Sequence, residues 1–391
     1  MRKHSRFALT SPSAARRRRV TPDTSACTLI SYIAPAAPAT RRWARGNEPF
    51  LRPEIGFTPK WFRENVPFED GPIDFGEKWH TNPEYRRKTL LAARAELRRR
   101  FPGTAIGHID EPDQPLDVLT GTYGGSLIAA IFGVPIIWAR DNWPNAAHQY
   151  LSDDEMAAIE PADLDASPVF QDLMRQVDWI AESEGIITGF INPQGILNNA
   201  QRLRGETIFM DMFDNPDGCR RLFDVIAETM IAVVLRVHAR QRETGFDPQF
   251  FTVSNCLVNM VSPRQYHELL LPYDRRIAEI YPCIGIHNCA WNANGYMDDY
   301  ATVPNLGYID MGIDSDLRRA RELVPQGRRA LMYTPMDVAN KDSVELRADF
   351  EKIADEYGPC DIVLADIEAG TPDARVRELV DICAEISAAR A

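Results

Sequence analysis

The sequence predicts an α/β protein in which a single (β/α)₈ barrel, the TIM-barrel fold, follows an N-terminal extension. The 391 residues suit one barrel of roughly 250 to 350 residues plus such an extension. Short apolar segments alternate with helical segments, which is typical of parallel βαβ units. Polar residues follow several apolar segments, and barrels carry their functional residues at the carboxyl ends of strands. An open doubly wound sheet is the alternative that this alternation allows.

The first 47 residues differ in composition from the rest of the chain. They contain the arginine run from Arg16 to Arg19, and Asp23 is the only acid before residue 47. Serine, alanine and proline are abundant there, so we predict a disordered basic tail. A misplaced start or a plain tail is favoured over a targeting segment. The barrel domain is expected to occupy residues 48–391.

Helices are predicted where a side chain that can cap a helix precedes a proline, because proline suits the first helical position. Four such pairs predict helices that begin at Pro83, Pro168, Pro216 and Pro263. Strands are predicted from short apolar runs between these helices. The predicted strands comprise residues 117–120, 134–139, 185–191, 249–253, 284–286, 307–310, 329–333 and 361–365.

Composition and motifs exclude several classes of function. A net charge of −12 argues against nucleic acid or an anionic membrane as the partner. The longest apolar stretch, residues 126–139, is too short to span a membrane. The seven cysteines contain no CxxC pair, which indicates reduced thiols and a cytoplasmic location. Walker, GxGxxG, GxSxG and HExxH motifs have no match, so nucleotide hydrolysis, Rossmann-type binding and serine hydrolysis lack support.

His287 and Cys289 form the most informative pair of candidate ligands. Side chains alternate along a strand, so these two residues, two apart after a predicted strand, are expected to share one face. Imidazole and thiolate are good zinc ligands. A catalytic zinc also needs a third protein ligand and an open position. The alternative interpretation, without a metal, is a buried histidine beside an inert cysteine.

The third ligand is expected after another strand. Asp366 and Glu368 follow the last predicted strand, and either carboxylate would complete a His/Cys/carboxylate site or act as a general base without metal. Cys360 precedes that strand, which places it near the opposite end of the barrel. Cys256 has no histidine beside it in sequence, so we expect a packed thiol there.

Other polar residues after strands are candidates for binding substrate or for catalysis. The amides of Asn192, Gln194 and Asn255 are expected to orient a small polar substrate. Arg140 is the best candidate for binding an anion, and Trp143 for a substrate wall. Asp310 and Tyr333 end two further predicted strands, and with Asp366 they are the candidate catalytic residues.

The sequence resembles the uroporphyrinogen decarboxylase superfamily over about residues 50 to 390. Residues 261–273, Val-Ser-Pro-Arg-Gln-Tyr-His-Glu-Leu-Leu-Leu-Pro-Tyr, resemble a characteristic helix of that superfamily. His287-Asn-Cys289 lies where the superfamily has H-x-C-G, and residues 361–372 resemble its closing strand and the following Thr-Pro. The resemblance implies a TIM barrel with its site at the strand carboxyl ends.

Within the superfamily, the resemblance favours the zinc- and cobamide-dependent methyltransferases. The true decarboxylases have an RQAGRY-like opening, whereas this chain reads Trp61-Phe-Arg63. The methyltransferases use a zinc held by the H-x-C pair and a later cysteine, and here a carboxylate, with Glu368 as the favoured residue, stands in its place. The resemblance therefore implies zinc, a methylcobamide donor, a corrinoid protein as partner and a small-molecule acceptor. A carboxylate ligand would make the zinc a harder Lewis acid, suited to an oxygen acceptor.

Two other functions remain open at this point. A metal-free decarboxylase or other lyase would use Asp310 or Asp366 as acid or base. A non-catalytic barrel would bind a small molecule without turnover.

Overall fold

Six parallel strands build the central sheet of the barrel. The computed structural model describes residues 49–69, 71–104, 106 and 116–390, so the tail predicted for residues 1–47 lies outside the described residues. The strands follow the spatial order β1-β8-β7-β6-β5-β4. A short antiparallel pair, β2 and β3, stands apart from this sheet. The strand bounds are β1 Leu51–Phe57, β2 Ile136–Ile137, β3 Asn145–Ala146, β4 Phe250–Ser254, β5 Cys283–His287, β6 Leu306–Met311, β7 Arg328–Met332 and β8 Cys360–Ile367.

The barrel fold is confirmed, but two of the predicted segments do not form strands in the part of the chain that the structure describes. Residues 117–120 form a turn, because the Asp117 carboxylate accepts hydrogen bonds from the amides of Leu119 and Thr120 at 3.1 and 2.9 Å. At residues 185–191, the Gln241 side chain donates to the carbonyl oxygen of Gly189 at 2.7 Å. In these two segments, which lie between β1 and β4 along the chain, backbone groups form hydrogen bonds with side chains where a regular strand would pair with a neighbouring strand. The prediction of regular strands there is wrong.

Helices follow the strands, and the four predicted caps are confirmed. Asn82, Ser167, Asn215 and Ser262 accept hydrogen bonds from first-turn amides of α3, α6, α9 and α10. Among the described helices, none combines the length and the apolar character that crossing a bilayer requires. The helix bounds are α1 Pro59–Asn65, α2 Glu77–Thr81, α3 Pro83–Arg100, α4 Leu127–Ile131, α5 Asp153–Ala158, α6 Pro168–Glu184, α7 Ile196–Arg204, α8 Thr207–Asp214, α9 Pro216–Glu243, α10 Pro263–Gln265, α11 Leu271–Ala278, α12 Met297–Tyr300, α13 Leu317–Leu323, α14 Pro335–Asn340, α15 Ser343–Glu356 and α16 Asp373–Ala388.

The core has two parts, because every strand alternates its side chains between two faces. The larger part packs the outer face of the sheet against the helices. The smaller part fills the barrel interior with Phe250, Cys283, Tyr308, Ala330, Met332, Val363 and Ala365. By the same alternation, the last inward residues of β4, β5 and β6 are Ser254, His287 and Asp310. Strand pairing sets Ser254 beside His287 and His287 beside Asp310, so three polar residues meet at one level of the barrel mouth.

Candidate metal centre

Three metal-binding side chains meet at the carboxyl ends of β4 and β5. The donor atoms of Cys256, His287 and Cys289 all lie within 4.8 Å of one another, and the two cysteines are partly buried around a buried histidine. The three donor atoms are close enough together for one metal ion to contact all of them. We call these three residues the Cys/His cluster.

The backbone after each strand brings the cluster together. The Asn255 amide donates to the His287 carbonyl oxygen at 2.7 Å, which extends the pairing of β4 and β5 by one residue. β5 ends at His287, so strand alternation does not orient Cys289 as the sequence argument assumed. Cys289 instead adopts a left-handed backbone with φ of 61°, which few residues other than glycine tolerate. This turn, and not the strand, directs the Cys289 thiol toward His287.

Asp310 fixes the imidazole ring of His287. The His287 Nδ1 atom lies 2.7 Å from Asp310 Oδ2, and the same carboxylate accepts from the Asn288 amide and the Tyr308 hydroxyl at 2.8 and 2.9 Å. Burial alone would lower the pKa of His287, but the Asp310 and Cys289 charges outweigh it and raise that pKa well above its ordinary value. With Nδ1 engaged by Asp310, Nε2 is the ring nitrogen left for a metal.

The two thiols of the cluster differ in acidity. A hydrogen bond with Cys289, and a further one with Asn198, lowers the pKa of Cys256 in spite of burial. The same hydrogen bond with Cys256, together with burial, raises the pKa of Cys289. Cys256 therefore has the more acidic thiol of the two, whereas the sequence predicted an inert packed thiol. A signal was present, since a cysteine stands two residues after the last inward residue of both neighbouring strands, as Ser254-x-Cys256 and His287-x-Cys289.

The predicted carboxylate ligand does not join the cluster. Glu368 is exposed, and Asp366 lies partly buried at the end of β8. In the sheet, β6 and β7 separate β8 from β5, whereas β4 is the direct neighbour of β5. Burial, and then the nearby Glu368, raises the pKa of Asp366. The donor that the structure places beside His287 and Cys289 is the Cys256 sulfur, in the position for which the sequence analysis expected Glu368.

The three predicted amide residues differ in their surroundings. Asn192 Oδ1 accepts from the Gln194 amide at 3.0 Å, and this contact supports a left-handed Gln194 with φ of 60°. Gln194 Oε1 accepts from Asn198 Nδ2 at 2.9 Å. Asn255 instead donates to Asp274 on α11 at 2.8 Å, so it fastens the end of β4 to a helix. Of the three, Gln194 is the residue tied through Asn198 to the cluster.

Three further predicted residues have partners outside the cluster. Arg140 is 76% exposed and pairs with Asp74 at 3.5 Å. Trp143 packs edge-on against Trp79, with ring centroids 6.3 Å apart. The Tyr333 hydroxyl donates to Asp349 on α15 at 2.5 Å, because residue 333 follows the inward Met332 and so faces the outer helices. The prediction that Tyr333 reaches the mouth is wrong.

Helix α7 contributes two residues that sequence reasoning missed as site residues. The Asn198 side chain is hydrogen-bonded to Cys256 and also accepts from the Leu257 amide at 3.2 Å. Arg202, one turn further along α7, is close enough for the Cys256 charge to act on it, although burial lowers its pKa overall. The sequence signal was the close spacing of Gln194, Asn198 and Arg202, which suits one face at the start of a helix.

The fold and the cluster together define an α/β barrel with a Cys/His donor group at the carboxyl ends of its strands. The sequence profile of the uroporphyrinogen decarboxylase (URO-D) family matches residues 114–332, which is more than half of the chain. The protein therefore belongs to this family.

The solved structures add a likeness in fold. A methyltransferase from Methanosarcina mazei superimposes with a TM-score of 0.55 and 16% sequence identity, over 84% of this chain and 99% of that chain. At this identity the likeness supports the fold alone. A comparison with curated protein sequences gives no significant match.

The buried Asp274 carboxyl group predicts a pH dependence of stability. It accepts from Asn255 and from Tyr266 at 2.8 and 2.7 Å, yet burial raises its pKa from 3.8 to about 6. The folded protein therefore holds this proton more tightly than the unfolded chain, and stability decreases as the pH rises from about 4 to about 6. Asp274→Asn removes this contribution of roughly 2 to 3 kcal/mol. Urea unfolding at pH 4, 5, 6 and 7 measures it, with exposed Asp381→Asn as the control. A pH dependence in Asp274→Asn equal to that of the wild type would contradict the assignment.

Proposed function

We propose that this protein is a zinc-dependent methyltransferase that transfers a methyl group from a methylcobamide to a small thiol. The observation that carries the proposal is the convergence of Cys256, His287 and Cys289 at the barrel mouth. A corrinoid protein is the proposed partner that presents the donor. The proposed setting is the cytoplasm, where the thiols stay reduced.

The donor set fits a catalytic zinc site. Catalytic zinc uses three protein ligands and keeps one position open, and the cluster supplies one imidazole and two thiols. Buried Asp310 holds the Nδ1 side of His287, as outer-sphere carboxylates do in zinc proteins. Two sulfur ligands make this a softer site than the carboxylate set predicted from sequence, which favours a thiol over an oxygen acceptor.

The residues around the cluster have separate tasks in this proposal. Cys256, His287 and Cys289 would hold the zinc, which would lower the pKa of a bound thiol so that a thiolate exists at neutral pH. Asp310 fixes the ring of His287 through the 2.7 Å contact. Asn198 donates to Cys256 and orients its sulfur. These side chains are largely enclosed, so little reorganisation is needed when a ligand enters.

The opening segment of the chain favours methyl transfer over decarboxylation in this proposal. The URO-D family profile covers the strands that carry the cluster, and a solved structure of similar fold is a methyltransferase, which agrees with the barrel that the proposal needs. The arginine-rich opening of the true decarboxylases is missing at Trp61-Phe-Arg63. Trp61 is fully buried in the core, so its side chain does not contact a substrate.

The metal content of variants tests the ligand set. We expect one zinc per chain in the wild type, and loss of zinc in Cys256→Ser, His287→Ala and Cys289→Ser, because each removes one of three donors. Elemental analysis after dialysis measures the metal. Cys283→Ala is the matched control, since Cys283 is a buried thiol at the other end of β5. A metal-free wild type would refute the site, and zinc lost from Glu368→Gln but kept by Cys256→Ser would restore the carboxylate set.

Asp310→Asn tests the role of the carboxylate behind His287. Removing its charge weakens the orientation and basicity of the imidazole, so we expect zinc affinity to fall about 10- to 100-fold. Competition with a chromophoric chelator measures the affinity. Asp314→Asn, an exposed residue just after β6, should bind zinc as the wild type does. Equal affinity in Asp310→Asn and wild type would show that Asp310 has no such role.

Demethylation of methylcobalamin in the presence of 2-mercaptoethanol tests the reaction. The zinc-loaded wild type should consume methylcobalamin. A chelator or Cys256→Ser should slow this reaction at least about 100-fold, because loss of the zinc removes the group that activates the thiol. The absorbance of the cobalamin follows the reaction, and a reaction without protein is the control. Carbon dioxide release from a carboxylated substrate, unaffected by chelator, would point to a metal-free decarboxylase instead.

A further inference from the structure

We infer that Arg202 and Gln194 form an anion-binding subsite beside the Cys/His cluster, so that the substrate carries an acidic oxygen group such as a carboxylate. The inference rests on the proposed function for the identity of the reacting thiol. The subsite itself is defined by α7 and by the turn that contains Gly125.

Arg202 is a partly buried cation without a carboxylate partner in the described part of the chain. Its Nη1 atom donates to the Asn198 carbonyl oxygen at 2.9 Å, which satisfies one of its five N–H groups. Arg204, two residues further on, pairs with Asp211 at 2.7 Å and also with Asp153. An enclosed guanidinium is costly unless an anion accompanies it. A ligand anion beside Arg202 would supply this missing partner.

Gln194 supplies the second donor. Its Oε1 atom accepts from Asn198 Nδ2 at 2.9 Å, which orients the amide and leaves the Nε2 hydrogens pointing elsewhere. No side-chain or backbone acceptor among the described residues takes those hydrogens. The residue is buried and held in the left-handed conformation, so its direction is fixed by the backbone.

Both donors meet beside Gly125. A Cβ atom built on Gly125 would lie 3.0 Å from Gln194 Nε2 and 3.2 Å from Arg202 Nη2. A side chain at position 125 would therefore fill the space that these two N–H groups face, and the glycine keeps that space open. A carboxylate has two oxygens that can accept hydrogen bonds from both donors, and arginine is the preferred side chain for binding it.

The subsite adjoins the cluster through Asn198. The Asn198 side chain contacts Gln194 on one side and Cys256 on the other. A substrate whose acidic group binds Arg202 would thus place a neighbouring thiol near the cluster. Arg140, the anion-binding residue expected from sequence, is exposed and paired with Asp74, so Arg202 replaces it in this role.

Calorimetry with two matched thiols tests the subsite in the zinc-loaded full-length protein. The probes are 3-mercaptopropionate and its neutral amide, 3-mercaptopropionamide. We expect the wild type to bind the carboxylate about 10- to 100-fold more tightly than the amide, as charge-assisted hydrogen bonds allow. Arg202→Met should remove this preference without changing the affinity for the amide. Gly125→Ala should weaken carboxylate binding by filling the cradle, and Arg140→Met is the control that should keep the preference.

A second pair of probes separates this inference from the zinc proposal. Propionate and propionamide, which have no thiol, are titrated into metal-free wild type and into Arg202→Met. One outcome is that the wild type binds no zinc and still prefers propionate over propionamide, with this preference lost in Arg202→Met. That result would contradict the proposed zinc-dependent function but support the anion-binding subsite. If wild type and Arg202→Met show the same carboxylate preference, or none, the subsite is refuted whatever the zinc content. Far-UV circular dichroism confirms that each variant is folded.

Discussion

The hydrogen bond between His287 and Asp310 is the contact on which the site depends. It joins neighbouring strands β5 and β6 at paired positions inside the barrel, with the carboxylate fully enclosed. A buried carboxylate is stable only when it is well hydrogen-bonded, and Asp310 accepts from three groups. The same bond fixes the imidazole, sets which nitrogen faces the mouth and places it beside two thiols. Strand register therefore determines the chemistry of the site.

The ends of the strands store backbone strain around this contact. Gln194 and Cys289 adopt left-handed conformations in the turns that lead away from the barrel mouth, and Asp366 does so near the end of β8. Such conformations cost about 1 to 3 kcal/mol each and persist where the surroundings fix them. In Gln194 and Cys289 the turn directs a polar side chain toward the mouth, beside the cluster. The left-handed turns thus position these polar side chains at the mouth.

Sequence reasoning was most successful where the signal is local. Capping side chains before Pro83, Pro168 and Pro216 located the helix starts, because a cap and its helix are neighbours in the chain. It failed where side chains override a ladder, as when Asp117 and Gln241 take the hydrogen bonds of two predicted strands. It also failed at Tyr333, since one residue of difference in register reverses the face of a strand.

The sequence by itself determined the barrel, its resemblance to the URO-D family and the pair His287 and Cys289, because these depend on short-range patterns. The tertiary structure alone decided the third member of the cluster. Cys256 lies 31 positions before His287 in the chain, and only the pairing of β4 with β5 makes them neighbours. The carboxylates after β8 suit the chemistry of a ligand, but two intervening strands separate them from β5. Spatial adjacency of strands is set by packing of the whole barrel, and no local pattern encodes it.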